Sequence, residues 1–133
     1  MDTGNLVNAV NSILEKYQDD VNEGIARAFN DIGDVTLQKI RMASEQGGYG
    51  AEHFNDKKYS KGWTKTVEKH KISGNFSATI YNKKYYRLTH LLEKGHAKRN
   101  GGRTTAYPHI APVQNEMDEL SVKIIEEAIN DIS

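Results

Sequence analysis

"GWTKTVEKHKISGNFSATIYN", residues 62–82, contains two strand-like runs separated by a Ser-Gly pair at positions 73–74. Both runs are rich in β-branched and aromatic residues, which favour strands, and the Ser-Gly pair is a turn signal. In the second run Phe76, Ala78 and Ile80 alternate with more polar residues, which is the period of a strand with one buried face. The stretch therefore predicts a β-hairpin, against which the rest of the chain has to pack.

On the N-terminal side, apolar residues recur every three or four positions from Leu6 to Met42, as in an amphipathic helix. Glycines interrupt this pattern, each at a cost of about 1 kcal/mol relative to alanine, and the pair Gly33 and Asp34 marks the predicted bend or break. An unbroken helix of about 40 residues would measure ~60 Å, whereas a compact domain of this size is ~35 Å across. The helix is therefore expected either to break or to extend beyond the domain and pack on another chain.

Residues 46–62 connect this helix to the hairpin. They contain glycines and polar residues and show no hydrophobic period. Loops of this length are usually functional or disordered, so the segment is predicted to be a flexible loop.

After the hairpin the spacing changes to a helical one. Leu88, Leu91 and Leu92 stand at i, i+3 and i+4, and Gly95 follows where a helix commonly ends in the left-handed conformation. We predict a short helix that ends at Gly95, followed by a polar, glycine-containing loop over residues 96–106.

The last part of the chain predicts a strand and a helix. "YPHIA", residues 107–111, is suited to a last short strand. From Pro112, which is well placed as a first helical residue, an apolar stripe continues to Ile132 and predicts a second amphipathic helix.

The order of these elements predicts an α+β fold. It combines a long N-terminal helix, a small antiparallel β-sheet with a short helix and a long loop, and a C-terminal helix packed on the sheet. A chain of 133 residues fits one domain. Within residues 1–133 we expect helix over 1–45, flexible loop over 46–62, sheet with short helix and basic loop over 63–111, and helix over 112–132.

Composition limits the functional classes. With 37% apolar and 27% charged residues the chain is globular in character, and its mean hydropathy of −0.72 leaves little apolar surface for a thick core. There is no cysteine, which excludes disulfides and thiolate metal sites. No apolar run approaches the ~18 residues of a membrane span, and the polar N-terminus predicts no signal peptide.

The net charge of zero conceals a strong segregation of charge along the chain. Residues 1–56 hold four Lys/Arg against ten Asp/Glu, residues 57–103 hold thirteen against two, and residues 104–133 hold one against six. A basic middle between acidic ends predicts either a surface that binds polyanions or a segment whose charges meet acidic helices of the same or a neighbouring subunit.

The histidines do not predict a catalytic centre. His90, His96 and His109 match no common zinc spacing, and Glu93 is the only carboxylate near them, whereas Mg²⁺ needs several oxygen ligands. His90 stands beside leucines, which favours a packed or hydrogen-bonded structural role over that of a ligand. No nucleophile elbow, phosphate loop or dinucleotide motif is present, so we expect no enzymatic activity, no cofactor and no metal.

Three stretches resemble a known family. They are "YSKGW" at residues 59–63, "IYNKKYYRLTHLLEKGHAKRNGG" at residues 80–102 and "PHIAP" at residues 108–112. Together they resemble the tail-completion, or head–tail joining, proteins that form the neck of long-tailed double-stranded-DNA bacteriophages and their prophage relatives. The resemblance covers about Tyr59 to Pro112, and the rest of the chain is similar to the family only in being helical.

This resemblance implies a late structural protein of virion assembly without enzymatic activity. Such a protein would form a ring, commonly of six copies, between the tail tube and the portal connector, and would extend the channel through which DNA leaves. The implied partners are other copies of the chain, the connector or head-completion protein, the tail tube or tail terminator protein, and the passing DNA. The implied location is the virion neck, assembled in the cytoplasm of the host bacterium, with no membrane partner.

On this reading the basic loop is the contact segment and its flanks are anchors. The predicted anchors of the short helix and of the chain's return to the last helix are Leu88, Leu91, Leu92, Gly95, Pro108, Ile110 and Pro112. Between them the loop is expected to be free to reach a partner. The residues expected to bind it are His96, Lys98, Arg99, Gly101, Gly102 and Arg103.

Two other functions remain open. A DNA-binding protein that uses the basic segment 57–103 would lose affinity steeply as salt rises. A metal-dependent nuclease would show cleavage that depends on His90 or Glu93.

Overall fold

A computed structural model describes residues 3–46 and 58–132. The elements are α1 (Thr3–Gln46), α2 (Lys58–Lys61), β1 (Trp63–Lys69), β2 (Phe76–Asn82), α3 (Tyr86–Lys94) and α4 (Ile110–Asn130). The two strands pair antiparallel, with Trp63 opposite Asn82 and Lys69 opposite Phe76. The predicted α+β fold is confirmed, with the long helix, the hairpin, the short helix and a C-terminal helix that packs on α1 and the sheet.

α1 and α4 pack side by side in opposite directions. Lys39 forms an ion pair with Glu116 near the start of α4 at 3.2 Å, whereas a Cβ placed on Gly24 would lie 2.7 Å from Cδ1 of Ile132 beyond its end. α4 therefore reaches along α1 only as far as Gly24, and the part of α1 that precedes this point has no helix beside it among the described residues.

α1 does not break at Gly33, which corrects the expectation of a break there. A Cβ on this glycine would lie 3.1 Å from Cδ of Lys65 on β1, so the small residue lets the helix cross the hairpin closely. Lys65 also contacts the Asp34 carboxylate. Of the two alternatives, the helix extends beyond the domain: at 44 residues it is about 66 Å long.

The core lies where α1, the hairpin and the start of α4 meet. It consists of Ile32, Ile40, Tyr59, Trp63, Val113 and Met117, with half-buried apolar residues around them. The Trp63 indole donates to the Ser44 hydroxyl at 2.8 Å, and the Arg41 guanidinium donates to the Trp63 carbonyl at 2.9 Å. These bonds fix the first residue of the hairpin to the last turns of α1.

The predicted flexible loop over 46–62 is wrong at its C-terminal end. Residues 58–61 form a helical turn whose Tyr59 and Ser60 are buried, because Tyr59 fills the core between Trp63 and His109 at ring-centroid distances of 5.9 and 5.6 Å. Gln46 belongs to α1, and residues 47–57 lie outside the described residues.

The predicted strand at residues 107–111 is also wrong. No strand is present there, and α4 begins at Ile110 rather than at Pro112. Proline is still tolerated at the third helical position, since the first four N–H groups of a helix have no partner within it. Instead of pairing with the hairpin, this segment is held by a carboxylate that accepts hydrogen bonds from the free N–H groups at the start of α4.

Candidate functional site

Glu93 on α3 binds the N-terminus of α4. Its Oε1 accepts hydrogen bonds from the backbone N–H groups of His109 at 2.7 Å and Ile110 at 2.8 Å, and Oε2 accepts from Ala111 at 3.1 Å. A carboxylate at a helix N-terminus also interacts favourably with the helix dipole. Burial alone would raise the pKa of Glu93, but these three N–H groups and the nearby His109 outweigh it and lower the pKa below its usual 4.5.

His109 and Tyr59 form a buried polar pair beneath this cap. The Tyr59 hydroxyl lies 2.7 Å from Nε2 of His109, while Nδ1 faces two acceptors, the Tyr107 carbonyl at 2.9 Å and Oε1 of Glu93 at 3.0 Å. In the neutral ring Nδ1 therefore carries the proton and Nε2 accepts the Tyr59 hydrogen. Burial raises the pKa of Tyr59 to about 12, so the hydroxyl remains a donor.

The basic loop, residues 96–106, starts and ends beside this capped junction. The Thr104 N–H donates to the His96 carbonyl at 2.8 Å, and the Tyr107 N–H donates to the Leu92 carbonyl at 2.7 Å. The end of α3 and the returning chain are thus joined by backbone hydrogen bonds. Gly95 is buried at this point with φ of 71°, and a Cβ there would lie 2.6 Å from the Thr104 carbonyl oxygen. The predicted end of the helix at Gly95 is confirmed, but its ψ of 173° differs from the left-handed conformation expected there.

The loop has an internal turn, and whether it reaches a partner stays a prediction. The Lys98 N–H donates to the Gly102 carbonyl at 2.9 Å, and Ala97 and Arg103 form a β-bridge. Gly101 and Gly102 both have positive φ, 94° and 77°, which explains why two glycines stand together here. The loop is therefore a small hairpin-like projection with a defined conformation.

The six residues expected to bind a partner are all on this projection and all exposed: His96, Lys98, Arg99, Gly101, Gly102 and Arg103. They do not share one role. The Arg103 guanidinium turns back to the Gly95 carbonyl at 3.3 Å, and His96 Nδ1 lies 3.1 Å from the Thr104 hydroxyl. Within the described residues the side chains of Lys98 and Arg99 have no hydrogen bond or ion pair, which leaves these two as the available cations at the tip.

The predicted anchors are only partly in the core. Gly95 is buried, and Leu88, Leu92 and Ile110 are half-buried, the last two against the core cluster. Leu91 is 41% exposed and Pro108 and Pro112 are exposed, so these three do not anchor the loop through burial. On α3 the fully buried residue is instead Thr89.

His90 is exposed, which overturns the expectation of a packed residue. It stands with Tyr81, Tyr86, Gln114 and Asp118 around an open groove of about 690 Å³ between β2, α3 and α4. The floor is apolar and includes Ile40, Trp63, Ile80, Ile110, Val113 and Met117. Five consecutive residues of β2 line the groove, Ala78 to Asn82, so the outer edge of this strand opens into it.

A second apolar surface lies at the far end of α1. Residues 4–20, hereafter the overhang, are exposed throughout. Its large apolar side chains are between 46% and 69% exposed and are Leu6, Val7, Val10, Ile13, Leu14 and Tyr17. Their spacing continues the face of α1 that, further along, packs against α4 through Ala28 and Ile32.

Neither a metal centre nor a membrane span is found in the described part of the chain. Within residues 3–46 and 58–132 no three His, Asp or Glu side chains come together as metal ligands would. His109 and Glu93 are close, but both are used in capping α4. None of the helices described is both long and apolar enough to pass through a bilayer.

Sequence reasoning missed three residues that position the loop. Tyr59 lies in the segment predicted to be a flexible loop, and no local pattern of the sequence marks it as a core residue. Glu93 was considered only as a ligand, although an acid in a segment with thirteen Lys/Arg was itself a signal. Asn82 had no sequence signal; it is buried, donates to the Tyr59 carbonyl at 2.9 Å and accepts from the Tyr85 N–H at 2.9 Å.

Comparison of the chain with protein-family models, with curated proteins and with solved structures found no match. The resemblance to tail-completion proteins therefore stays a prediction from the sequence.

Proposed function

We propose that the protein is a structural component of a bacteriophage neck that joins the tail to the head connector, as a ring of identical copies around the DNA channel. The proposal starts from the sequence resemblance over residues 59–112. It needs surfaces that contact other proteins and requires no catalytic centre.

The observation that carries the proposal is the overhang. Monomeric proteins rarely expose a continuous apolar patch of this kind, and such patches mark interaction surfaces. A helix without tertiary contacts gains little stability from intrinsic propensity alone. The exposed stripe from Leu6 to Tyr17 therefore supports a protein that completes its packing by assembly.

The basic loop supports a second contact, to a component other than the chain itself. Glu93 and the backbone bonds at its base hold the loop in position, and Lys98 and Arg99 project from the tip. Two exposed cations on a positioned projection are suited to an acidic surface of the connector or tail protein. The same two residues favour the alternative function, DNA binding through phosphate contacts.

The test of the proposed function is deletion of the gene from the phage or prophage that encodes it. Negative-stain images of the lysate should show filled heads and complete tails that are not joined. Expression of the intact chain in the host should restore joined particles. Joined, infectious particles in wild-type numbers from the deletion mutant would contradict the proposal.

A matched pair of variants separates the neck role from DNA binding. Lys98→Glu with Arg99→Glu should prevent restoration of joined particles, whereas Lys123→Glu, an exposed charge reversal on α4, should not. The DNA-binding alternative instead predicts that the wild-type protein retards DNA in a gel at low salt and that the loop variant does not. Retardation without any assembly defect would favour the alternative.

A further inference from the structure

We infer that the overhang of one copy lies in the groove of the next copy, so that neighbouring subunits are joined head to tail by a helix bound in a groove. This inference rests on the proposed function, since it specifies how identical copies would form the ring. The evidence for it comes from the positions of the two apolar surfaces, from their shapes and from their charges.

The two surfaces lie at opposite ends of the molecule. The groove is lined by Ile40 of α1 and by Val113 and Met117 near the start of α4, whereas the overhang begins beyond Gly24, where α4 ends. Tyr17 and Ile40 stand on one continuous helix, about 35 Å apart at 1.5 Å per residue. A chain therefore cannot place its overhang in its own groove, so an overhang that lies in the groove has to come from another molecule.

The overhang has the form of a groove-binding helix. Its apolar residues follow the spacing i, i+4, i+7, i+8 and i+11 from Leu6 to Tyr17, which is how amphipathic helices present anchors to apolar grooves. Residues 4–20 form about 26 Å of helix. A helix placed in the groove would also cover the outer edge of β2, which has no strand partner within the described residues.

The charges of the two surfaces are complementary. The overhang holds three acidic residues, Glu15, Asp19 and Asp20, and one lysine, Lys16. The connection from β2 into α3 next to the groove holds Lys83, Lys84 and Arg87, all exposed, and no acid before Glu93. Asp118 on the opposite wall is the one carboxylate of the lining among the described residues. Opposite charges at the rim favour the correct orientation during encounter, while the apolar anchors supply affinity.

A contact between two different surfaces of identical copies is heterologous. Each subunit then gives its overhang to one neighbour and receives an overhang from the other. Repetition of such a contact closes into a ring or continues as a filament, according to the rotation between subunits. An overhang that paired with another overhang would instead give a closed two-fold dimer.

The absence of native cysteine allows the contact to be tested by cross-linking. Val10→Cys reports on the overhang, Gln114→Cys on the groove, and Val122→Cys on an exposed position of α4 outside the groove. At high micromolar concentration a short bismaleimide should link Val10→Cys to Gln114→Cys roughly tenfold more than to Val122→Cys, because the former pair is held together.

Two cross-linking results would overturn the inference. Dominant linkage of Val10→Cys to itself would mean that overhangs pair with each other. Equal yields for the Gln114→Cys and Val122→Cys mixtures would mean that the groove is not occupied by a second copy. If the formation of joined particles nevertheless depends on the gene, the proposed neck function is retained and only the overhang–groove contact is wrong.

Charged variants test the head-to-tail arrangement directly. Ile13→Glu with Leu14→Glu alters the overhang, and Tyr86→Glu with His90→Glu alters the groove at exposed positions that should leave the fold intact. Each pair of substitutions should raise the dissociation constant of self-association, measured by sedimentation, by roughly 30-fold or more, because interface anchors are lost. Val122→Glu, with circular dichroism on all variants, is the matched control.

Mixing the two defective variants gives the decisive result. One variant retains an intact groove and the other an intact overhang, so an equimolar mixture should form a heterodimer and nothing larger. Self-association of the groove variant at wild-type strength, or absence of a heterodimer in the mixture, would overturn the inference.

Discussion

Three side chains hold the junction between α3 and α4: Glu93, His109 and Tyr59. Glu93 binds three backbone N–H groups of the next helix, and His109 connects this cap to the Tyr59 hydroxyl in the core. Each of these side chains forms a hydrogen bond with a polar group that is buried or half-buried. Removal of one member therefore leaves a polar group without its partner, which costs more than the net value of a hydrogen bond.

Glu93→Ala should lower the free energy of unfolding by about 2 kcal/mol at neutral pH, because the start of α4 loses its acceptor. Glu93→Gln retains an oxygen acceptor and should lose less. Since the folded pKa of Glu93 lies below 4.5, its contribution is present above that pH and is lost as the pH falls through the folded value. Urea unfolding of both variants across this acid range measures the effect, and an unchanged acid slope in Glu93→Gln would contradict it.

Tyr59→Phe should lower the free energy of unfolding by about 1–2 kcal/mol, since Nε2 of His109 loses the hydroxyl at 2.7 Å. The pKa of Tyr59 is raised from 10.0 to about 12, so wild-type stability should fall as the pH rises from 10.0 towards 12. The Tyr59→Phe variant lacks this contribution, so its stability should fall less steeply over the same pH range. Tyr81→Phe, at an exposed tyrosine on β2, is the control in the same denaturation series.

Among the elements, the junction of α2 with the hairpin depends on close backbone approach. A Cβ on Gly62 would lie 2.4 Å from Oδ1 of Asn82, and Asn82 is held by bonds to Tyr59 and Tyr85. At Gly33 the nearest atom belongs instead to the flexible Lys65 side chain. Substitution of Gly62 would therefore displace the buried, hydrogen-bonded Asn82, whereas substitution of Gly33 would displace only the flexible Lys65 side chain.

Gly62→Ala should destabilise the protein by about 2 kcal/mol, because the methyl group displaces the buried Asn82. Gly33→Ala is the matched change in α1, where Lys65 can move aside and helix propensity improves by up to about 1 kcal/mol. In thermal and urea unfolding, the midpoint should fall for Gly62→Ala and rise for Gly33→Ala, relative to the wild-type protein. A loss of stability in Gly33→Ala equal to that in Gly62→Ala would refute this account of the crossing.

The elements also show what the sequence could predict. The hairpin, the short helix and its end at Gly95 follow from local period and turn chemistry, and all three are confirmed. Tyr59 and residues 107–111 differ from the prediction because their state depends on partners far along the chain, His109 in one case and Glu93 in the other. Local propensity contains no information on such contacts.

At the scale of the whole molecule, the candidate surfaces were only partly visible in the sequence. The charges and glycines of residues 96–106 indicate the basic loop, whereas the apolar pattern of α1 does not decide between a broken and a protruding helix. The groove could not be predicted, because it is made by residues from five separate elements, among them Ile40, Trp63, Ala78, His90 and Met117. Only the way these elements pack reveals the cavity.

Hydrogen exchange should distinguish the two halves of α1. In the isolated monomer the amides of residues 4–20 should exchange far faster than those of residues 25–40, since the former are exposed throughout whereas the latter include core residues such as Ile32 and Ile40. On assembly the first half should gain protection while the second changes little. Mass spectrometry of peptic peptides at low and high protein concentration measures this, and equal protection of both halves in the monomer would argue against a protruding helix.

The cap at Glu93 has a consequence for variation and engineering. The Glu93 carboxylate, the Tyr107–Leu92 backbone bond and the Arg103–Gly95 bond lie at the base of the projection, so the two helices are held together without its tip, residues 98–102. We therefore expect that residues 98–102 can be replaced by a foreign epitope or a shorter Gly-Asn turn while the rest of the fold keeps its shape. Related chains would be free to diverge at this tip and so to acquire new docking specificity.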